Sequence, residues 1–251
     1  MPKPLKFLAF DTSTDRMSVA VTDGVRTWQH SGPGGAQAST TLIPAVLALL
    51  AEAGLALGEL DAIAFGRGPG SFTGLRTACA VAQGLALGAN HGAGIPVLPI
   101  DTLMAVAEEA RFQRDGDSQH ALRVTALLDA RMDEMYVQGF EFSGGQCRAL
   151  GECELVRPEN CAPDASVGLL AGNVFAVYAG RLPAGLADFA QAEALPTATA
   201  LLRLAPHLAA AGQCVSADLA LPLYVRDKVA LTTEERERVK AAKLAETPLS
   251  S

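Results

Sequence analysis

Two fourteen-residue stretches of this chain, 118 positions apart, follow one pattern. LAFDTSTDRMSVAV at 8–21 and ALLDARMDEMYVQG at 126–139 align without a gap at Asp11/Asp129, Asp15/Asp133, Met17/Met135 and Val19/Val137. Each reads as an apolar strand ending on an aspartate, a polar turn, a methionine and a second strand. A duplicated unit of this kind restricts the chain to two similar sheets, one per half. Around the first copy, Thr27–His30 reads as a third strand, 31–35 as a loop and 37–53 as a helix whose candidate caps are Ser39 and Thr40. Pro44 is tolerable only in that helix's first turn. Ala62–Phe65 and Val97–Ile100 are further strands, and helices are expected over 71–88 and from Asp101-Thr102 to about Arg114. The polar stretch 113–120 marks the boundary. The expected units are therefore 1–115, a reduced 116–228, and a charged helical tail, 229–251, opened by the capping box Thr232–Glu235.

Composition narrows the function. With 49% apolar and 19% charged residues, 251 residues supply a core for one large or two small domains. A net charge of −7 argues against a chain that grips nucleic acid over a broad surface by itself, although 226–243 carries a local +2. The charge-free stretch 77–100 is broken by Gln83, Asn90, His91, Pro96 and Pro99, so no membrane span is expected. Five scattered cysteines without a C-x-x-C fit reduced thiols in the cytoplasm.

Few residues offer chemistry. The histidines at 30, 91, 120 and 207 are too dispersed for a two-His zinc face. Ser71 is not in G-x-S-x-G and reads as a helix N-cap; Cys79 reads as a small buried hydrophobe. The run 66–74 holds four glycines before a helix start, which suits either an anion site or a loop packed close to another backbone. Asp11 and Asp129, ending equivalent strands, would either face each other across a cleft and hold Mg²⁺ with a nucleotide, or each bond its own turn. The helix at 37–53 is apolar nearly all round, with Leu42, Ile43, Val46, Leu47 and Leu50 spread over its surface. It is either fully buried or shared between its own core and a partner. Ala80, Gly84 and Gly88 give the next helix a smooth face that a partner helix could approach closely.

DTS at 11–13, GRGPGSFTGLR at 66–76 and LLDARMDEMY at 127–136 together resemble the TsaB (YeaZ) family, with AGN at 171–173 and LPLYVR at 221–226 as further matching strings. The resemblance spans roughly 5–230. It implies an α/β, actin-like ATPase fold of two duplicated RNase-H-like domains with mixed sheets and flanking helices. It also implies a non-catalytic scaffold that pairs directly with TsaD for threonylcarbamoyl transfer to the adenosine beside the tRNA anticodon. TsaE would act on that pair and a TsaC-type enzyme would feed it. tRNA would be met only through the complex, and without TsaD the chain would form a homodimer. Asp11, Thr12, Ser13 and Asp129 would be a vestigial phosphate loop, because Ser13 replaces the glycine of D-x-G-[TS]. This chain would need no cofactor or metal, with a nucleotide at the partner interface left open. The expected interface is Leu42, Ile43, Val46, Leu47, Leu50, Ser71, Phe72, Leu75, Arg76, Ala80, Gly84 and Gly88. The rivals are a free-standing ATPase or small-molecule kinase of the same fold, a peptidase, which lacks ligands or a triad, and a direct tRNA-binding module.

Overall fold

The computed structural model describes residues 3–118 and 120–226. Strand β1 (Phe7–Asp11) is buried along its whole length, as expected of an unbroken apolar run covered on both faces. It pairs antiparallel with β2 (Arg16–Thr22) across the Asp11–Asp15 turn and parallel with β4 (Ala62–Gly68). With β3 (Thr27–Pro33) and β5 (Val97–Asp101) the first sheet runs β3-β2-β1-β4-β5. The second is built from β6 (Leu122–Asp129), β7 (Met135–Ser143), β8 (Gln146–Val156), β9 (Leu169–Gly172) and β10 (Gln191–Glu193). Its order is β8-β7-β6-β9-β10. Both sheets have the same sequence of antiparallel, antiparallel, parallel and parallel pairings. Asp11 and Asp129 therefore end equivalent central strands, and the duplication read from the sequence is present in the fold.

Helices distinguish the halves. In the first, α1 (Ala38–Ala53) and α2 (Phe72–Gly88) cover one face of the sheet, packing Leu42, Val46, Leu49, Leu50, Ala78 and Ala82 against Leu8, Phe10, Val19, Ile63 and Phe65. In the second, the corresponding connections shrink to a 3-10 turn at Pro158–Asn160 and one turn, α4 (Val174–Val177). The remaining two helices cross over. The apolar side of α3 (Thr102–Asp115), with Leu103, Val106 and Ala110, packs on β6, β7 and β9 of the second sheet. In return, α5 (Ala198–Ala210), with Leu201, Leu204 and Ala205, packs on the free face of the first, against Phe7, Ala9 and Ala64. Buried Glu108 of α3 ties the pair together, accepting from Arg111 and from Arg203 of α5. After α5 the chain runs back over the first half as a strap: Val215 bridges Val97, Ala220 O accepts from Cys79 and Gln83, and Leu223 N–H donates to Arg67 O at 2.7 Å. The capping box and helical tail expected at 229–251 lie outside the described residues.

Local readings need correction at four places, the first being that β3 runs on to Pro33, into the stretch read as a loop. Ser39 and Thr40 do not cap α1; they lie inside it and their hydroxyls donate back to Ala36 O and Gln37 O. Pro44 sits in the second turn rather than the first, on the exposed side. Ser71 does occupy the N-cap position of α2, but its hydroxyl makes no capping bond.

Gly35–Ala53 has the length and apolarity to cross a membrane, yet Leu42, Val46, Leu49 and Leu50 face the chain's own core. The alternation of buried and open positions gives a sharp expectation. Val46→Glu places a charge where no water reaches and should abolish cooperative thermal unfolding. Its neighbour Leu47, 52% exposed, should accept Glu with a change within ~1 kcal/mol. Circular dichroism melting of the two variants checks this.

Candidate functional site

Where the carboxyl ends of β1 and β4 come together, two loops of the first half press on one another. Thr12 Oγ1 donates to Gly74 O at 2.7 Å and Ser71 N–H donates to Ser13 O at 2.7 Å. A Cβ on Gly74 would lie 1.8 Å from Thr12 O, and one on Gly70 would lie 2.7 Å from Ser13 Cβ. There is no room between the loops even for a methyl group at these two positions. The glycines of 66–74 thus serve close backbone packing, the second of the two readings the sequence allowed. On the other side of the turn Gly34 N–H donates to Asp15 O at 2.7 Å, so the turn is fastened from both flanks.

The aspartates do not form a pair. Asp11 is fully buried; its Oδ1 accepts from Ser13 N–H at 2.8 Å and Ser13 Oγ at 2.6 Å. Its Oδ2 lies against Gly66, where a Cβ would come within 1.8 Å, and finds no donor among the described residues. Burial, only partly offset by the two bonds from Ser13, pushes the Asp11 carboxyl up to about 6. Asp129 bonds its own turn: its Oδ1 accepts from Arg131 N–H at 2.9 Å and from Tyr178 Oη at 2.7 Å. The shared Mg²⁺ site is corrected accordingly, since each carboxylate is spent locally and Asp11 does not reach the space between the halves. Among the described residues no three His, Cys, Asp or Glu side chains are grouped as a metal site.

That space is a cleft of about 480 Å³. Ser13, Asp15 and Ser71 line it from the first half, Asp129, Arg131 and Asn173 from the second, and Tyr224 and Arg226 from the strap. Tyr178, which bonds the cleft residue Asp129, and Tyr224 and Arg226, which line the cleft, have hydrogen-bond partners 49, 148 and 92 positions away in sequence, and the sequence reading assigned none of them a role; only the strings LLDARMDEMY, AGN and LPLYVR flagged the neighbourhood.

The second feature is the outer side of α1 and α2. Of the twelve residues expected at an interface, Leu42, Val46, Leu50 and Leu75 are corrected to core: they point inward and are at most 4% exposed. Ile43 (44%) and Leu47 (52%) stand outward on α1. On α2, Ala80, Gly84 and Gly88 are exposed and next to Leu87 (58%), which the sequence reading passed over. A Cβ at Gly84 or Gly88 would meet nothing within 4 Å. Ser71, Phe72 and Arg76 lie at the N-terminal end of α2, beside the cleft, where the Arg76 guanidinium stacks 3.8 Å above the Phe72 ring.

A family model described as TsaD: tRNA N6-adenosine threonylcarbamoyltransferase matches residues 33–163. The tRNA threonylcarbamoyladenosine biosynthesis protein TsaB of Haemophilus influenzae is 35% identical over 239 residues, covering 90% of this chain and 95% of the relative. The protein of the same name from Escherichia coli is 32% identical, with 90% and 96% covered. Among solved structures, YeaZ from Pseudomonas aeruginosa superposes with a TM-score of 0.76 at 38% identity, over 88% of this chain and all of that one.

Asp11 makes stability depend on pH with a definite sign. Its folded value is raised, so the stability it contributes is complete below the unfolded value of about 3.9 and is lost as pH rises through about 6. Asp11→Asn removes that dependence. Relative to the wild type, the variant should gain on the order of 2–3 kcal/mol between pH 4 and pH 7.5, read by urea unfolding at both pH values.

Proposed function

Because the chain belongs to the TsaB (YeaZ) family, within the wider family of TsaD-type domains, we propose that it works in tRNA threonylcarbamoyladenosine biosynthesis as a non-catalytic subunit that docks on TsaD and activates it. The observation that carries this reading is the outer face of α1 and α2. An apolar helix that gives one side to its own sheet and leaves Ile43 and Leu47 in water has surface to bury elsewhere. The exposed glycines of α2 let a partner's helix approach its backbone closely. Two helices from each chain then make a four-helix contact. Without TsaD the same face pairs two copies of this chain about a two-fold axis.

The packed loops support the absence of catalysis. Anion binding at a helix start uses free backbone N–H groups, and here Ser71 N–H is taken by Ser13 O while Thr12 and Ser13 lie against the glycines. A free-standing ATPase or kinase needs that space open. In this reading Asp11, Thr12, Ser13 and Asp129 are the remnant of a phosphate loop, the chain requires no cofactor, and TsaE and a TsaC-type enzyme work with the TsaB–TsaD pair. tRNA is reached through the complex, consistent with a net charge of −7. The units are taken as 1–115 and 116–228, exchanging α3 and α5. Five free thiols support a cytoplasmic place.

Leu47→Glu and Gly84→Glu, made separately, should keep melting near wild type and weaken TsaD binding at least a hundredfold, with tRNA modification falling in parallel. Calorimetric titration of the purified subunits measures the first and nucleoside analysis of the tRNA the second. Folded variants that bind TsaD at wild-type affinity put the interface elsewhere.

A further inference from the structure

Three strings singled out in the sequence, 127–136, 171–173 and 221–226, are left unused by the docking reading, and they meet at the rim of the cleft. There Arg131, Met132 and Asp133 stand one after another in the left-handed region, at φ +61°, +55° and +62°. None is glycine, so side chain crowds backbone at three successive positions. Such a turn persists only where its surroundings hold it.

The ties come from both halves. Within the second, the Asp129 carboxylate accepts from Arg131 N–H, Asn173 Oδ1 accepts from Asp129 N–H at 2.9 Å, and Arg181 pairs with Asp133 at 2.6 Å. From the strap, Arg226 donates to Arg131 O at 3.3 Å, to Met132 Sδ at 2.8 Å and to the Glu134 carboxylate. Two residues earlier, the Tyr224 ring lies 5.2 Å from the Phe72 ring and its hydroxyl accepts from Arg76 Nε at 3.2 Å. Phe72 and Arg76 open α2, the helix of the docking face. A contiguous line of contacts therefore runs from α2 through Tyr224 and Arg226 to the strained turn.

We propose that the turn Ala130–Glu134 is a two-state latch, held left-handed by the seated Arg226, and that docking on α2 is transmitted to the cleft rim through Tyr224 and Arg226. A left-handed run of L residues has a right-handed alternative that relieves its crowding, which supplies two discrete arrangements rather than a gradual deformation. All three contacts of Arg226 are to the turn itself, so unseating it shifts the balance directly. Leu223 is pinned to Arg67, so the strap beyond it is a short lever: movement of Phe72 or Arg76 shifts Tyr224, and Arg226 follows. The transmission clause rests on the docking reading; the latch does not.

Amide hydrogen exchange by mass spectrometry on the full chain separates the two. In the isolated protein, Arg226→Ala should speed exchange over 130–136 at least tenfold, leaving β1 and β6 unchanged. Tyr224→Ala, whose hydrogen bond and ring contact are both to α2, should speed it at least threefold. Arg226→Lys, which keeps the charge but loses the forked contact, should fall between Arg226→Ala and the wild type, and it decides the matter if Arg226→Ala fails to fold. Wild-type exchange at 130–136 in folded Arg226 variants overturns the latch. On adding TsaD to the wild-type chain, 72–88 should be protected and exchange at 130–136 should change at least threefold. Protection of 72–88 with 130–136 unmoved overturns the transmission. Protection elsewhere on the surface, with 72–88 untouched, overturns the docking reading instead, and the latch is then judged on the Arg226 and Tyr224 variants.

Discussion

The contact between the 11–15 turn and the 66–74 loop governs what this fold can do. Two backbones meet there at a distance that only glycine permits, with Gly74 against Thr12 O and Gly70 against Ser13. The hydrogen bonds Thr12 Oγ1 to Gly74 O and Ser71 N–H to Ser13 O then fix the spacing. In a duplicated two-sheet architecture this is where the central strand and its parallel neighbour deliver their loops, and where a ligand's charged end would be cradled. Here the two loops pack directly on one another at that point, and Ser13, Gly70 and Ser71 face the cleft. The same contact anchors the start of α2 and so sets how α2 lies on the sheet.

A closed loop leaves the helices as the part of the first half with surface to offer. Both halves share one sheet plan, yet the second has reduced its equivalents of α1 and α2 to single turns, while the first has kept them long and apolar on both sides. Unequal helices on one shared sheet plan give an asymmetric molecule, with the first sheet covered on both faces and the outer side of α1 and α2 facing out. The exchange of α3 and α5, locked by Glu108 between Arg111 and Arg203, makes the halves interdependent. Removing one arginine would leave the buried carboxylate short of a partner, a costly change in a low-dielectric setting.

The parts legible from sequence are those decided by local pattern. β1 and β6 announce themselves as apolar runs stopped by an aspartate, and the Met and Val that follow repeat in register because both turns close the same way. The glycine loop was visible, but its two readings differ only in what lies opposite, which no local window contains. For α1, inward Val46 and outward Leu47 are equally apolar, so composition could not separate core from surface; the position of the sheet did. Leu50 and Leu75 were lost to the core for the same reason. The Asp pairing failed because Asp11 is buried by its own turn and by Gly66 of the neighbouring strand β4, 55 positions away and outside any local window. The cleft rim was the least legible: Arg76 and Tyr224 are 148 residues apart, and Arg226 reaches back 92 to Glu134. LLDARMDEMY, AGN and LPLYVR carried the only hint, without a mechanism.

If the chain acts by docking and has no chemistry of its own, the buried aspartate of the closed loop is dispensable for the reaction it serves. The most direct measurement is threonylcarbamoylation of tRNA reconstituted from purified subunits, with this chain omitted, supplied as wild type, or supplied as Asp11→Asn. The account predicts no product without the chain and equal rates with either form. A folded Asp11→Asn chain that binds TsaD normally but leaves the tRNA unmodified would contradict it.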